Sequence, residues 1–160
     1  MGNALFYHLT RSPAESLLPA LIGKSRAAGW RIELRGADQA RMQRLDELLW
    51  QGEGFLPHGL AGGPHDARQP VLLTIATGAA DGTAPDDDRM APNDPACLII
   101  VDGAAVRAEE CVGMDRVCIL FDGNDPAAVE QARGQWRALT AAGLTAEYWS
   151  EADGRWERKA

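Results

Sequence analysis

The chain has 160 residues, a formal charge of −7 and an isoelectric point near 4.9. Its length favours one domain, and 46% apolar residues are enough for a core that needs no disulfide or metal staple. So acidic a chain is poorly matched to DNA phosphates, and no run approaches the roughly 18 apolar residues of a membrane span.

The N-terminal stretch lacks the basic region, apolar run and cleavage site of a secretory signal. Gly2 opens a myristoylation pattern that Phe6 breaks, since Ser or Thr is wanted there. Cys97, Cys111 and Cys118 are scattered, and two lie in apolar runs, which suits reduced, buried thiols. These features predict a cytoplasmic protein.

Ala4 to Leu9 is short, apolar and aromatic, and predicts a first strand. Ser12-Pro13-Ala14-Glu15 has the composition of a capping box with proline at the first helical position, so a helix is expected to about Ala28. Gly29 stands where a left-handed residue ends it, and Leu17, Leu18, Leu21 and Ile22 supply its apolar face. Trp30 to Leu34 predicts a strand. Asp38 to Trp50 predicts a helix with Met42, Leu45, Leu48 and Leu49 at helical spacing. Residues 52–70 are rich in glycine and proline and are expected to form a loop. Strands are expected at Val71–Ile75, Cys97–Val101 and Arg116–Phe121, with residues 77–95 between the first two as a mobile acidic loop. Asn124-Asp125-Pro126 opens a last helix with the stripe Val129, Ala132, Trp136 and Leu139, ended by Gly143. Thr145 to Trp149 predicts a final strand, and residues 151–160 a loose polar tail in which Trp156 is the residue able to fold back. Alternating strands and helices predict an α/β, three-layer Rossmann-like domain over residues 1–150, with a largely parallel sheet flanked by helices.

An α/β sheet keeps a nucleotide-dependent enzyme in view as the alternative function, but its usual signals are missing. Thr10-Arg11-Ser12-Pro13 follows the first strand in place of a G-x-G-x-x-G turn, and Gly59 to Pro64 lacks the Lys-Ser/Thr ending of a P-loop. His58 and His65 have no zinc-ligand spacing and are read as loop residues; His8, in a strand, is read as structural. No G-x-S-x-G elbow is present, and Glu109-Glu110 and Asp86 to Asp88 read as solvated surface. No cofactor and no metal are expected. Aromatic stacking on single-stranded nucleic acid is a third possibility that the acidic charge disfavours.

Arg133 and Arg137 lie one helical turn apart, with Trp136 between them. Such a group can receive a carboxylate together with an apolar side chain; equally, Trp136 can belong to the core stripe and leave two solvated arginines. Trp50 and Phe55, where a helix gives way to a loop, carry the same two readings, core plug or binding pocket.

Leu45-Asp46-Glu47-Leu48-Leu49-Trp50, then Phe55-Leu56-Pro57-His58 and a glycine-rich turn, resemble the L-D-x-x-L-W and F-x-P-H segments of the chi-subunit family of bacterial DNA polymerase III. Ala4-Leu5-Phe6-Tyr7, Pro70-Val71, Leu120-Phe121-Asp122-Gly123, Ala132-Arg133-x-x-Trp136-Arg137, Ala142-Gly143 and Tyr148-Trp149 continue the likeness in order along nearly the whole chain. Residues 77–95 depart from it, being longer and more acidic. The resemblance implies a Rossmann-like domain without a nucleotide site, no catalysis by the chain itself, and two protein partners. One is psi, which joins chi to the clamp loader. The other is the C-terminal tail of single-stranded DNA-binding protein, which is acidic and ends in Pro-Phe with a free carboxylate. On this likeness Arg133, Trp136 and Arg137 are the basic and aromatic positions for the tail, Phe55 and Phe121 are apolar pocket positions, and Trp50 is a further candidate. Neither direct DNA binding nor a membrane is implied.

Overall fold

A computed structural model describes residues 3–11, 13–51, 58–75, 92–104, 106–151 and 156–159. Their elements in chain order are β1 (Asn3–Leu9), α1 (Ala14–Ala27), β2 (Ile32–Gly36), α2 (Gln39–Gln51), β3 (His58–Leu60), a 3-10 turn (Asp66–Arg68), β4 (Val71–Ile75), β5 (Cys97–Ile100), α3 (Ala108–Val112), β6 (Arg116–Asp122), α4 (Pro126–Ala141), β7 (Thr145–Ser150) and β8 (Glu157–Arg158). The eight described strands form one sheet in the order β3-β4-β2-β5-β6-β1-β7-β8, parallel throughout except for β8 against β7. Helices cover both faces, so the arrangement is the Rossmann-like α/β layering expected from the alternation of elements.

The central strands are apolar at nearly every position because both of their faces are buried. Along β1, Leu5, Tyr7 and Leu9 join one core with Leu18, Leu21 and Ile22 of α1 and Met42, Leu45 and Leu49 of α2. Ala4 and Phe6 point the other way, into a second core with Cys111 of α3 and Ala132 and Leu139 of α4. Cys97, Cys111 and Cys118 are all buried and free.

Capping explains most helix boundaries. Asp125 caps α4, its carboxylate accepting from the Ala127 backbone N–H at 3.0 Å, with Pro126 next in the first turn. Asp38 does the same for α2 through the Arg41 backbone N–H at 3.0 Å. The start of α1 differs from expectation. Pro13 occupies its cap position without a side-chain bond, and Ser12 lies outside the described residues. Glu15 is instead drawn into an ion pair with Arg41 of α2. Gly29 and Gly143, with φ of +83° and +92°, take the left-handed conformation that ends α1 and α4.

Three local expectations change. Within 52–70, expected to be loop, His58–Leu60 adds to the sheet edge beside β4. The strand read at Trp30–Leu34 starts two residues later, at Ile32. The polar tail is anchored by β8 on β7 and by Trp156, whose ring meets Tyr7 edge-on at 5.4 Å. Most of the expected acidic loop, residues 77–91, lies outside the described residues, as do residue 76 and residues 52–57, and therefore Phe55.

Candidate functional site: an aromatic groove rimmed by arginines

A surface groove of about 450 Å3 runs between α4 and the C-terminal halves of β1, β6 and β7. Parallel register brings its floor together: Phe6 pairs with Ile119 and Tyr148, and His8 with Phe121. With side chains alternating along each strand, Phe6, His8, Phe121 and Tyr148 rise on the same face. The wall is α4, where Val129, Ala132, Arg133, Trp136 and Arg137 follow the i, i+3, i+4, i+7, i+8 pattern of one helical face.

The aromatic rings interlock. Trp136 meets Phe6 edge-on at 5.2 Å between centroids, and Tyr148 lies 6.3 Å from both Trp136 and Phe121. Both readings of Trp136 therefore hold in part: one side of the indole packs on the core, and the other lines the groove. Arg133 and Arg137 stand exposed at the rim, each loosely paired with Glu130, at 3.8 and 3.4 Å. Pairs this exposed contribute little, so both guanidinium groups can exchange Glu130 for another carboxylate. Burial raises the Tyr148 phenol above its ordinary value, with the nearby Arg133 charge opposing, so the hydroxyl keeps its proton at neutral pH.

The groove thus unites Arg133, Trp136, Arg137 and Phe121 of the residues read from the sequence. It does not include Trp50, and Phe55 is not described. Trp50 ends α2 on the opposite side of the sheet, 52% exposed, with its ring 4.2 Å from that of His58. Its placement follows from the α2 stripe, since Met42, Leu45 and Leu49 turn the helix onto the other core. His58 is buried, its Nε2 within 3.0 Å of the Asp46 carbonyl oxygen and 3.2 Å of the Asp46 carboxylate, which makes it a structural residue. Phe6, His8, Val129 and Tyr148 were not read as groove residues. Alternation places Phe6 and His8 on one face, but which strand lies beside them is invisible in the chain order.

A larger cleft of about 630 Å3 lies where the connections leaving neighbouring strands β1 and β6 turn to opposite faces, the place where open α/β sheets hold nucleotides. Here Arg41 spans it, paired with both Glu15 and Asp102, while Asp122 and Asp125 add negative charge. Arg11 also lines the cleft, leaving two arginines against four carboxylates, a net negative balance that disfavours phosphate. In the glycine-rich turn, the Gly62 and Gly63 N–H groups donate to the Asp66 carboxylate at 2.8 and 3.0 Å, so the chain's own anion occupies the place a phosphate would take. Among the described residues no cluster of His, Cys, Asp or Glu is placed to hold a metal, and no helix is long and apolar enough to cross a membrane.

Fold and site together define a Rossmann-like α/β domain whose apolar concavity lies on the flank of its last helix, beside the strand-end cleft that serves nucleotide enzymes. The family model described as DNA polymerase III chi subunit, HolC, matches residues 1–147, and the chain belongs to that family. It is also 30% identical over 105 residues to DNA polymerase III subunit chi of Escherichia coli (strain K12), a match covering 51% of this chain and 71% of that protein. Membership makes the chain an accessory component of the DNA replication polymerase.

Proposed function

We propose that this chain is a non-catalytic adaptor that ties the clamp loader, through psi, to the acidic C-terminal tail of single-stranded DNA-binding protein. The groove carries the reading: four aromatic residues, Phe6, Phe121, Trp136 and Tyr148, form an apolar slot, and Arg133 and Arg137 flank it. A terminal phenylalanine fills the slot while the arginines pair with its carboxylate and with the preceding aspartates. The chain's own charge of −7 explains why contact with DNA runs through a protein tail.

Trp50 lies exposed across the sheet from the groove, on a face that the tail does not use. A short disordered tail loses conformational entropy on docking, which keeps a single contact weak. Many tails on coated DNA and tethering to the clamp loader raise the effective concentration.

The test is a titration with the last ten or so residues of the cognate tail, about the length of a short disordered docking segment. Wild type is compared with Arg133→Ala, and the free carboxylate with the amide. Salt-sensitive binding that is lost in the variant is expected. Binding indifferent to Arg133 moves the site, and no binding at low salt refutes the tail reading.

A further inference from the structure

His8 is the titratable side chain of the groove that the proposed function leaves without a task. Its ring stacks on Phe121 at 5.0 Å and meets Tyr148 edge-on at 5.7 Å. Nδ1 is hydrogen-bonded to the Tyr148 hydroxyl. Nε2 is buried and has no partner among the described residues. Its side of the ring is closed by the Gly123 backbone, where even a Cβ would fall 2.0 Å from Nε2.

A neutral imidazole carries one N–H, and the surroundings choose between the two nitrogens. Were Nδ1 to accept from Tyr148, the N–H would sit on Nε2 as a buried donor facing no acceptor. A stranded donor is rarer and costlier than a stranded lone pair. The favoured tautomer therefore has Nδ1–H donating to Tyr148 Oη, with Nε2 left as a bare acceptor. The hydroxyl's own hydrogen then turns away from His8. It stays on the oxygen, because burial raises the phenol, and the open side of the ring is the groove beside Arg133.

We propose that Tyr148, oriented by His8, is a third carboxylate-binding residue of the groove, its hydroxyl donating to a carboxylate of the bound peptide alongside Arg133 and Arg137. This rests on the tail-binding reading and adds to it a neutral, directional donor inside the slot. Such a donor fixes one carboxylate oxygen inside the slot and is screened by salt less than the two exposed arginines at the rim. His8 is a positioning residue, since it acts through Tyr148.

The test uses the full chain with three peptides: the tail with a free carboxylate, its C-terminal amide, and the tail with its aspartates changed to asparagine. Tyr148→Phe removes the donor and keeps the ring. It is expected to weaken the free-carboxylate peptide about 10-fold, as for a hydrogen bond to a charged group, and to leave the amide within about twofold of wild type if the terminal carboxylate is the acceptor. Equal loss with free and amidated peptides, absent with the asparagine peptide, assigns the bond to an aspartate side chain and still supports the proposal. His8→Phe should lower the preference for the free carboxylate, His8→Asn, which keeps an N–H near Nδ1, should restore it, and His8→Phe with Tyr148→Phe should be no worse than Tyr148→Phe alone. Unchanged affinities in Tyr148→Phe while wild type binds overturn the role of Tyr148 only. Absence of binding by wild type overturns the tail reading and this proposal together.

Discussion

Gly123→Ala probes the contact that fixes the inner end of the groove. A Cβ at this position would lie 1.9 Å from His8 Cδ2 and 2.9 Å from the Leu9 carbonyl oxygen. Carbon atoms rest at about 3.5–4.0 Å, so the ring must retreat by about 1.5–2 Å. Retreat into the groove breaks its stack on Phe121 and its bond to Tyr148, while the Gly123 N–H is held by the Leu9 carbonyl at 2.6 Å. Losing the His8–Tyr148 bond costs about 1 kcal/mol, an off-rotamer ring about 1 kcal/mol, and disrupted stacking about 0.5–1 kcal/mol. The sum, about 2.5–3 kcal/mol, lies in the range of overpacked cores. With a urea dependence of about 2 kcal/mol per molar, the unfolding midpoint should fall by about 1–1.5 M. His8→Ala removes the obstructing ring, so the double variant should be more stable than the summed single effects by at least about 1 kcal/mol. Additive costs, or a Gly123→Ala midpoint equal to wild type, would refute the claim that this glycine exists to admit the His8 ring.

Four other outcomes follow from the same geometry. Arg35 joins β2 to α3, its guanidinium bonded to Glu110 at 2.9 and 3.0 Å and to Glu33 at 3.0 Å, with Glu33 also accepting from the Thr74 hydroxyl. Arg35→Ala strands a buried carboxylate and should cost about 3–5 kcal/mol in urea unfolding; a loss below about 1 kcal/mol would show the pair to be dispensable. Burial alone would raise the Glu110 carboxyl, but hydrogen bonds from Arg35 and the Arg107 backbone hold it below the ordinary glutamate value. Its contribution is therefore complete above the unfolded value of about 4.3 and disappears as pH falls through the lower folded value, so Glu110→Gln should flatten the acid limb of stability below about pH 5. Glu130→Gln frees both rim arginines and should tighten the tail peptide about two- to threefold at low salt, consistent with the small worth of exposed pairs; weaker binding would mean that Glu130 orients the arginines. Cys97, Cys111 and Cys118 should resist an aromatic disulfide reagent until the chain unfolds, the Cys111 thiol being pushed up to about 12 by burial and by Glu110, and rapid labelling of the native chain would contradict that burial.

The sequence made the layering legible because its signals are local. Alternating periods, Asp38 and Asp125 at helix starts, and Gly29 and Gly143 at helix ends are each read within one turn of chain. Arg133, Trp136 and Arg137 were legible for the same reason, since helical spacing alone puts them on one face. The floor of the groove was not, because it depends on β1 lying between β6 and β7, neighbours more than a hundred residues away along the chain. Trp50 shows the opposite failure. Its position where a helix gives way to a loop groups it with Phe55 in the sequence, whereas the α2 stripe carries it to the face opposite the groove.

That separation bears on the proposed adaptor role. The groove is supported by Phe6 and Phe121 from the core under α4, whereas Trp50 rests on His58, itself held by Asp46, at the far edge of the other layer. The sheet separates the two layers, and neighbouring residues of β1 point alternately into one core and the other. Sites on opposite faces of the sheet that share no partner respond independently, as well-separated substitutions usually do. Occupancy of the groove should therefore leave affinity on the Trp50 face unchanged, and Trp50→Ala should leave the tail-peptide affinity within about twofold. A larger change, measured with the same peptide titration, would show a coupling free energy between the faces and would demand a two-state element within the sheet to carry it.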